Sequence, residues 1–195
     1  MIHPDTYVKQ TPTGLGVFAA RKFFRGEILW ITDDFDLKVP LPQFFKLPEE
    51  VQNKFNTYGY LDFHERVVVA WDEGKYVNHS CSPNSTSLLQ FDNISVAMRE
   101  IEKGDQITED YYCYYGHFES FGCKCGAKNC RSEIKMENTF DASLRLHLAD
   151  VVDDILSHNQ FLLSIKSKDT LAFHKLVKEL TQPELVLSEG KLAKK

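Results

Sequence analysis

A mainly β fold with short helices, followed by an α-helical appendage, is what this sequence predicts. Two observations carry that expectation. Up to about residue 133 the apolar residues come in strand-length runs separated by glycine- and proline-containing turns, and beyond it they recur at helical spacing. A third sets the class: 195 residues, 43% hydrophobic, with ten glycines and seven prolines, exclude collagen-like, disordered and disulfide-dense chains. A chain of this length buries roughly 70% of its extended surface on folding, enough for a core without covalent staples.

Taken in order, Gly14 and Gly16 precede the run Val17-Phe18-Ala19, and Arg25-Gly26-Glu27 forms a turn before Ile28-Leu29-Trp30-Ile31. A second unit of the same style runs from Ile94 to Met98, turns at Glu102-Lys103-Gly104-Asp105 and resumes at Gln106-Ile107-Thr108. Both units read as hairpins. Between them, Pro48 followed by Glu49 and Glu50 marks the first turn of a short helix, because proline and acidic side chains both suit a helix N-terminus. Past residue 133, Leu144, Leu148, Val151, Val152 and Ile155 line one helix face, entered at Asp141 or Ser143. Phe173, Leu176, Val177 and Leu180 line another, entered near Asp169 and stopped by Pro183. The expected place of these two helices is against the domain's own surface. A homodimer interface or a partner dock is the alternative.

The net charge of −5 has the wrong sign for phosphate neutralisation, so direct nucleic-acid binding is not expected and a basic partner suits the chain better. Residues 33–73 hold nine acids against four bases. No apolar run reaches membrane-spanning length; the best, Val67-Val68-Val69-Ala70-Trp71, has the size of a strand, so no membrane partner is expected. Five cysteines are an odd number for a disulfide framework, and the N-terminal residues lack a signal-peptide pattern, so an intracellular, reducing compartment, cytoplasm or nucleus, is expected.

Three of those cysteines form Cys123-Lys124-Cys125-Gly126-Ala127-Lys128-Asn129-Cys130, with Gly126 allowing a tight return between ligands. A structural Zn²⁺ site needs four ligands, and Cys81, Cys113 and His117 are the candidates for the fourth. Asp110-Tyr111-Tyr112-Cys113-Tyr114-Tyr115 puts four phenols in five positions, an aromatic lining for whatever that segment borders.

Four motifs in order carry more than any one does: Gly14-Leu15-Gly16-Val17-Phe18-Ala19, Val77-Asn78-His79-Ser80-Cys81-Ser82-Pro83-Asn84, Gly104-Asp105-Gln106-Ile107-Thr108-Glu109-Asp110-Tyr111, and the Cys-x-Cys-x4-Cys array. Together they resemble the SET-domain lysine methyltransferases with a post-SET zinc cluster. The resemblance implies a SET β-fold of small sheets with a pseudoknot over residues 6–116, with residues 33–73 as an insert forming part of the substrate groove. It implies a post-SET zinc segment at 117–132, and it leaves 133–195 as the helical extension.

For the site, the resemblance implies S-adenosyl-L-methionine bound by Thr13, Gly14, Leu15, Gly16, Asn78, His79, Tyr111 and Phe121, with Tyr111 catalytic. It implies a structural Zn²⁺ held by Cys81, Cys123, Cys125 and Cys130, leaving Cys113 over. Tyr58 or Tyr60 and Glu109 are expected in the substrate channel, and the acidic insert is expected to draw a basic, lysine-containing protein or peptide. The sequence departs from the family pattern where Glu109 stands two residues before the catalytic tyrosine, a position commonly Phe or Tyr and linked to methyl number. Lys75 stands for the usual Arg, and no cysteine-rich segment precedes residue 6, so a pre-SET cluster is not expected. The alternative function is a noncatalytic module of the same fold that binds peptide or cofactor.

Overall fold

The computed structural model describes residues 1–62, 64–88, 94–111 and 120–135. Cys113, His117, the tyrosines at 112, 114 and 115, and both expected C-terminal helices, with the homodimer interface assigned to them, lie outside those residues.

Twelve short strands and few helices build this part of the chain. β1 (Thr6–Thr11) and β2 (Gly14–Ala19) form an antiparallel hairpin closed at Pro12-Thr13, with Thr11 opposite Gly14. Gly14 and Gly16 therefore belong to β2, not to a turn before it. Gly14 has a φ of +114°, which an L side chain resists, so a glycine leaves that turn without strain. β3 (Ile28–Ile31), β8 (Ser85–Leu88) and β9 (Ile94–Ala97) make a sheet in the order β3-β9-β8.

Neither expected hairpin forms as read. β2 pairs with β1, and β3 with β9 across most of the sequence. The run after Gly104 leaves β9 and bonds along the other edge of β2, through Ile107 N to Val17 O at 2.8 Å and Ala19 N to Asp105 O at 2.9 Å. β10 (Thr108–Glu109) then pairs in parallel with β7 (Asn78–His79). The reason is burial. Val17, Ala19, Phe23, Leu29, Ala97, Ile101 and Ile107 come from all of these segments and close a single core, which two local hairpins would leave open. Fully burying a side chain such as Phe23 or Ile107 contributes about 1.5–3 kcal/mol.

The insert has its own sheet, β4 (Leu37–Pro40), β6 (Arg66–Val69) and β5 (Gly59–Leu61) in that order, covered by α1 (Leu41–Phe44) and α2 (Glu49–Tyr58) over Phe44, Phe55 and Val67. Pro48 is the N-cap of α2 and both glutamates occupy its first turn, where they complement the helix dipole. The helix ends at Gly59, which places Tyr58 on its last turn and Tyr60 on β5. A 3-10 turn (Glu73–Tyr76) leads into β7, and β11 (Phe121–Gly122) pairs with β12 (Glu133–Ile134) beneath the cysteine segment.

Three of the insert's nine acids turn inward. Asp62 accepts from the backbone N–H groups of His64 and Arg66 and from Arg66 Nε at 2.7–2.9 Å. Asp72 accepts from Gly74 N and Ile2 N, and Asp36 from Asp33 N and Trp71 N. These three carboxylates are buried structural acceptors. Unpaired backbone donors in loops would otherwise cost about 1–3 kcal/mol each, and aspartate is the side chain short enough to meet them.

Candidate active site

A cavity of about 620 Å³ opens between the insert and the main sheets. Tyr58 and Tyr60 reach it from the insert, Lys75 and Val77 from the 3-10 turn and its exit, and Ser87 and Ser95 from β8 and β9. Ile107, Glu109, Tyr111 and Phe121 line it from the other side.

Tyr111 is held from both ends. Its backbone N–H donates to His79 Nδ1 at 3.2 Å, and its hydroxyl donates to Val77 O at 2.5 Å. Its ring lies 5.4 Å from that of His79 and 6.2 Å from that of Phe121, centroid to centroid. Burial, and then the nearby Glu109 carboxylate, push its pKa above the ordinary phenol value, so the hydroxyl stays protonated at neutral pH. With Nδ1 accepting, the proton of His79 sits on Nε2, 3.3 Å from Cys81 Sγ. Burial lowers the imidazole pKa to about 4 against the opposing pull of Asp110, so the ring is neutral.

Glu109 is 3% exposed and lines the same cavity. Desolvation raises its carboxyl pKa from 4.5 to about 7, with hydrogen bonds from Ser95 and Ser85 opposing the rise. Of the nine acids in 33–73, Glu49 is the one among the cavity's lining residues.

The residues expected at the cofactor divide into two groups. Tyr111 and Phe121 line the cavity, as do Tyr58 and Tyr60 of the expected channel; Thr13, Gly14, Leu15, Gly16, Asn78 and His79 do not. The second group adjoins through hydrogen bonds, with Asn78 Nδ2 donating to Leu15 O at 3.0 Å. Gly16 makes that approach possible, since a Cβ there would stand 3.0 Å from Asn78 Nδ2. Two features had no signal in the sequence. One is the pair of strand serines around Glu109. The other is Arg131, whose Nη2 donates to Asp110 at 2.5 Å while Asp110 lies 3.5 Å from His79 Nδ1, so the cysteine segment is tied to the Tyr111 segment. Charges that meet only through tertiary folding leave no periodic pattern to read.

The cysteines converge. Cys81 Sγ and Cys123 Sγ are 3.8 Å apart, and with Cys125 Sγ and a His79 ring nitrogen all four atoms lie within 4.8 Å of one another. Cys130 lies outside that quartet, yet its thiol contacts the thiol of Cys123, and it packs in the same cluster. The cluster is rich in N–H donors aimed at sulfur: Cys81 N to Cys125 Sγ and Arg131 N to Cys81 Sγ, both at 3.4 Å, and Ser132 N to Cys130 Sγ at 3.5 Å. Such donors favour thiolates. Two sulfurs on a tetrahedral Zn²⁺ with bonds of about 2.3 Å stand about 3.8 Å apart, so the Cys81–Cys123 spacing fits the ion. The proton on His79 Nε2 makes the imidazole a hydrogen-bond donor to the cluster.

Comparison with known proteins gives the family. The SET domain profile matches residues 14–112, just over half of the chain. The "Variant-silencing SET domain-containing protein" of Plasmodium falciparum is 32% identical over 139 residues, which cover 65% of this chain and 5% of that protein. The "Putative histone-lysine N-methyltransferase ASHH4" of Arabidopsis thaliana is 31% identical over 142 residues, covering 65% of this chain and 38% of its own length. The chain thus spans well under half the length of either relative. Among solved structures, KRYPTONITE in complex with mCHG DNA and SAH aligns at a TM-score of 0.49 and 18% identity, covering 66% of this chain and 28% of that one. The profile match runs from the Gly14 turn through the β7–β10 pair to Tyr111, and on that ground this chain belongs to the SET domain family.

Proposed function

We propose that the chain is an S-adenosyl-L-methionine-dependent protein-lysine N-methyltransferase acting on a basic, lysine-containing peptide or histone-like protein. The observation that carries this reading is the cavity in which Tyr111, its hydroxyl anchored on Val77 O, faces the phenols of the insert, within a chain of the SET family. Histone-lysine N-methyltransferases among the relatives support the reaction class.

A free lysine amine, pKa about 10.4, is less than about one part in a thousand neutral at pH 7. S-adenosyl-L-methionine, when bound, supplies an electrophilic methyl group on a sulfonium. The work left to this chain is to strip water from the amine, orient its lone pair and set its protonation. Burial beside Tyr58, Tyr60 and Tyr111 does the first, and a fixed Tyr111 hydroxyl does the second. Orientation of this kind is worth several kcal/mol of barrier. Thr13, Gly14, Leu15, Gly16, Asn78, His79 and Phe121 are proposed to hold the methyl donor, the first four presenting backbone groups beside the Asn78 amide.

Cys81, Cys123, Cys125 and Cys130 are proposed to bind one structural Zn²⁺ that stitches residues 117–132 to the catalytic part, 6–116. Residues 33–73 are proposed as one wall of the groove. The net charge of −5 favours a basic substrate. Among the described residues no helix is long and apolar enough to cross a membrane, and a Cys₄ site is suited to a reducing compartment, the cytoplasm or nucleus.

The test is transfer of isotope-labelled methyl from S-adenosyl-L-methionine to a panel of histone and nonhistone lysine peptides. Wild type is expected to label a subset, and Tyr111→Phe to lose at least about a hundredfold in rate with cofactor affinity retained. A wild-type protein that binds the cofactor and labels nothing at any pH from 6 to 10 would overturn the reading in favour of a noncatalytic binding module.

A further inference from the structure

We propose that the Glu109 carboxylate is the proton acceptor for the substrate's ammonium group. The inference rests on the transferase reading above and deepens it. Four observations lead to it. Glu109 is buried, it lines the cavity that also holds Tyr111, it is close enough to Tyr111 for its charge to act on that phenol, and among the described residues no basic side chain perturbs it. The Ser95 and Ser85 hydroxyls stand beside this buried carboxyl, the second of them also donating to Thr108 O at 2.9 Å, and with no cationic partner among the described residues it is poised for a cation to arrive.

The surroundings allow few competing titrations. β8 and β9 bring Ser85 and Ser95 to Glu109, and Ser87 lines the same cavity. On β7 the paired residue is His79, neutral by burial. Along its own segment come Asp110, tied to Arg131, and Tyr111, protonated. Across the cavity stand Lys75, Glu49, Tyr58 and Tyr60; the Lys75 ammonium donates to Trp71 O at 3.3 Å and lies over the Tyr76 ring. The carboxyl pKa near 7 falls where a general base works best at neutral pH.

In the step itself, one proton passes from the lysine ammonium nitrogen to a Glu109 carboxylate oxygen, leaving a neutral amine. The nitrogen lone pair then forms the new N–C bond as the donor's S–C bond breaks, and that electron pair stays on sulfur. The Glu109 carboxyl returns its proton to solvent on product release. Without a built-in base, kcat/KM has to climb with pH toward the lysine pKa; with one, it levels off once Glu109 is ionised.

The experiment is the pH profile of kcat/KM, from pH 6 to 10, for wild type, Glu109→Gln and Glu109→Asp on a peptide that wild type methylates. Its companion is a ¹³C-carboxyl NMR titration of Glu109 in the cofactor-free protein, with Glu109→Gln giving the assignment. Wild type is expected to rise with an apparent pKa near 7 and then flatten, matching the NMR titration. Glu109→Gln is expected to lose about 10²- to 10⁴-fold at pH 7, to recover part of it toward pH 10, and to keep cofactor affinity. Glu109→Asp should restore the plateau in part. A Glu109→Gln profile that overlays wild type, or a Glu109 that titrates near 4.5 in the folded protein, would overturn this inference and leave the transferase reading standing. A wild-type protein that methylates nothing overturns both.

Discussion

Replacing Gly16 by alanine probes the close approach of the first hairpin to the Asn78 segment. A Cβ at residue 16 would stand 2.6 Å from Gln106 Nε2, 2.9 Å from Thr11 Cγ2 and 3.0 Å from Asn78 Nδ2. Ordinary contact begins near 3.4 Å, so the neighbours have to retreat by about 0.4–0.8 Å. Gln106 can give way, since its amide is the far end of a flexible chain. Thr11 sits on the paired strand β1, and Asn78 Nδ2 donates to Leu15 O at 3.0 Å, so both resist. Overpacking of this kind costs about 1–3 kcal/mol, and a lost or stretched hydrogen bond adds about 0.5–1.5 kcal/mol. The expected total, about 2–4 kcal/mol, lowers Tm by roughly 4–16 °C in a chain of this size. Gly14→Ala is the matched control, because its Cβ meets nothing within 4 Å and only the positive φ penalises it. Differential scanning fluorimetry gives the stabilities, and calorimetric titration with S-adenosyl-L-methionine gives the affinity. Gly16→Ala should weaken cofactor binding well beyond Gly14→Ala, and Gly16→Ala with Asn78→Ala should be less than additive. A Gly16→Ala protein with wild-type stability and affinity would refute the steric reasoning.

Two further predictions concern titration and metal. Folded Glu109 ionises near 7 and the unfolded residue near 4.5, so the folded state holds the extra proton between those values and Glu109's contribution to stability falls as pH rises through that window. The difference amounts to about 3 kcal/mol. His3 and His79, both held near pKa 4 by burial, act oppositely as pH falls below 6.5, so the informative quantity is the stability of Glu109→Gln minus wild type, measured by urea unfolding. It should grow by about 3 kcal/mol from pH 4.5 to 8, and a flat difference would contradict the burial argument. For the metal, the protein as purified is expected to release about one Zn²⁺ per chain on thiol modification. Chelation should abolish cofactor binding, since apparent zinc-binding energies of about 10–16 kcal/mol exceed most domain stabilities. Retained binding in metal-free protein would count against a structural ion.

Local chemistry was legible in the residues. The turn glycines, the Pro48-Glu49-Glu50 helix start and the Cys-x-Cys-x4-Cys array are each short-range devices whose geometry follows from neighbouring residues. Strand partners were not legible: Gln106–Thr108 reads equally well as the return of a hairpin from β9, and only the shared core around Ile107 sends it to β2. The directions of the insert's acids were not legible for a related reason. A count of charges carries no information on direction, and Asp36, Asp62 and Asp72 turn inward to meet backbone donors that become visible only in three dimensions.

Residue type and spacings of a few positions suffice to read the strand and helix vocabulary, the four ordered motifs and the close spacing of the thiols. The tertiary structure decided which residues share one cavity. It put the insert's Tyr58 and Tyr60, more than fifty positions away in the chain, across from Tyr111, and it buried Glu109 between two serines. The Glu109 carboxyl would be an ordinary surface acid in an extended chain. It becomes a group titrating near neutrality only where desolvation outweighs its hydrogen bonds, and desolvation is a property of the fold.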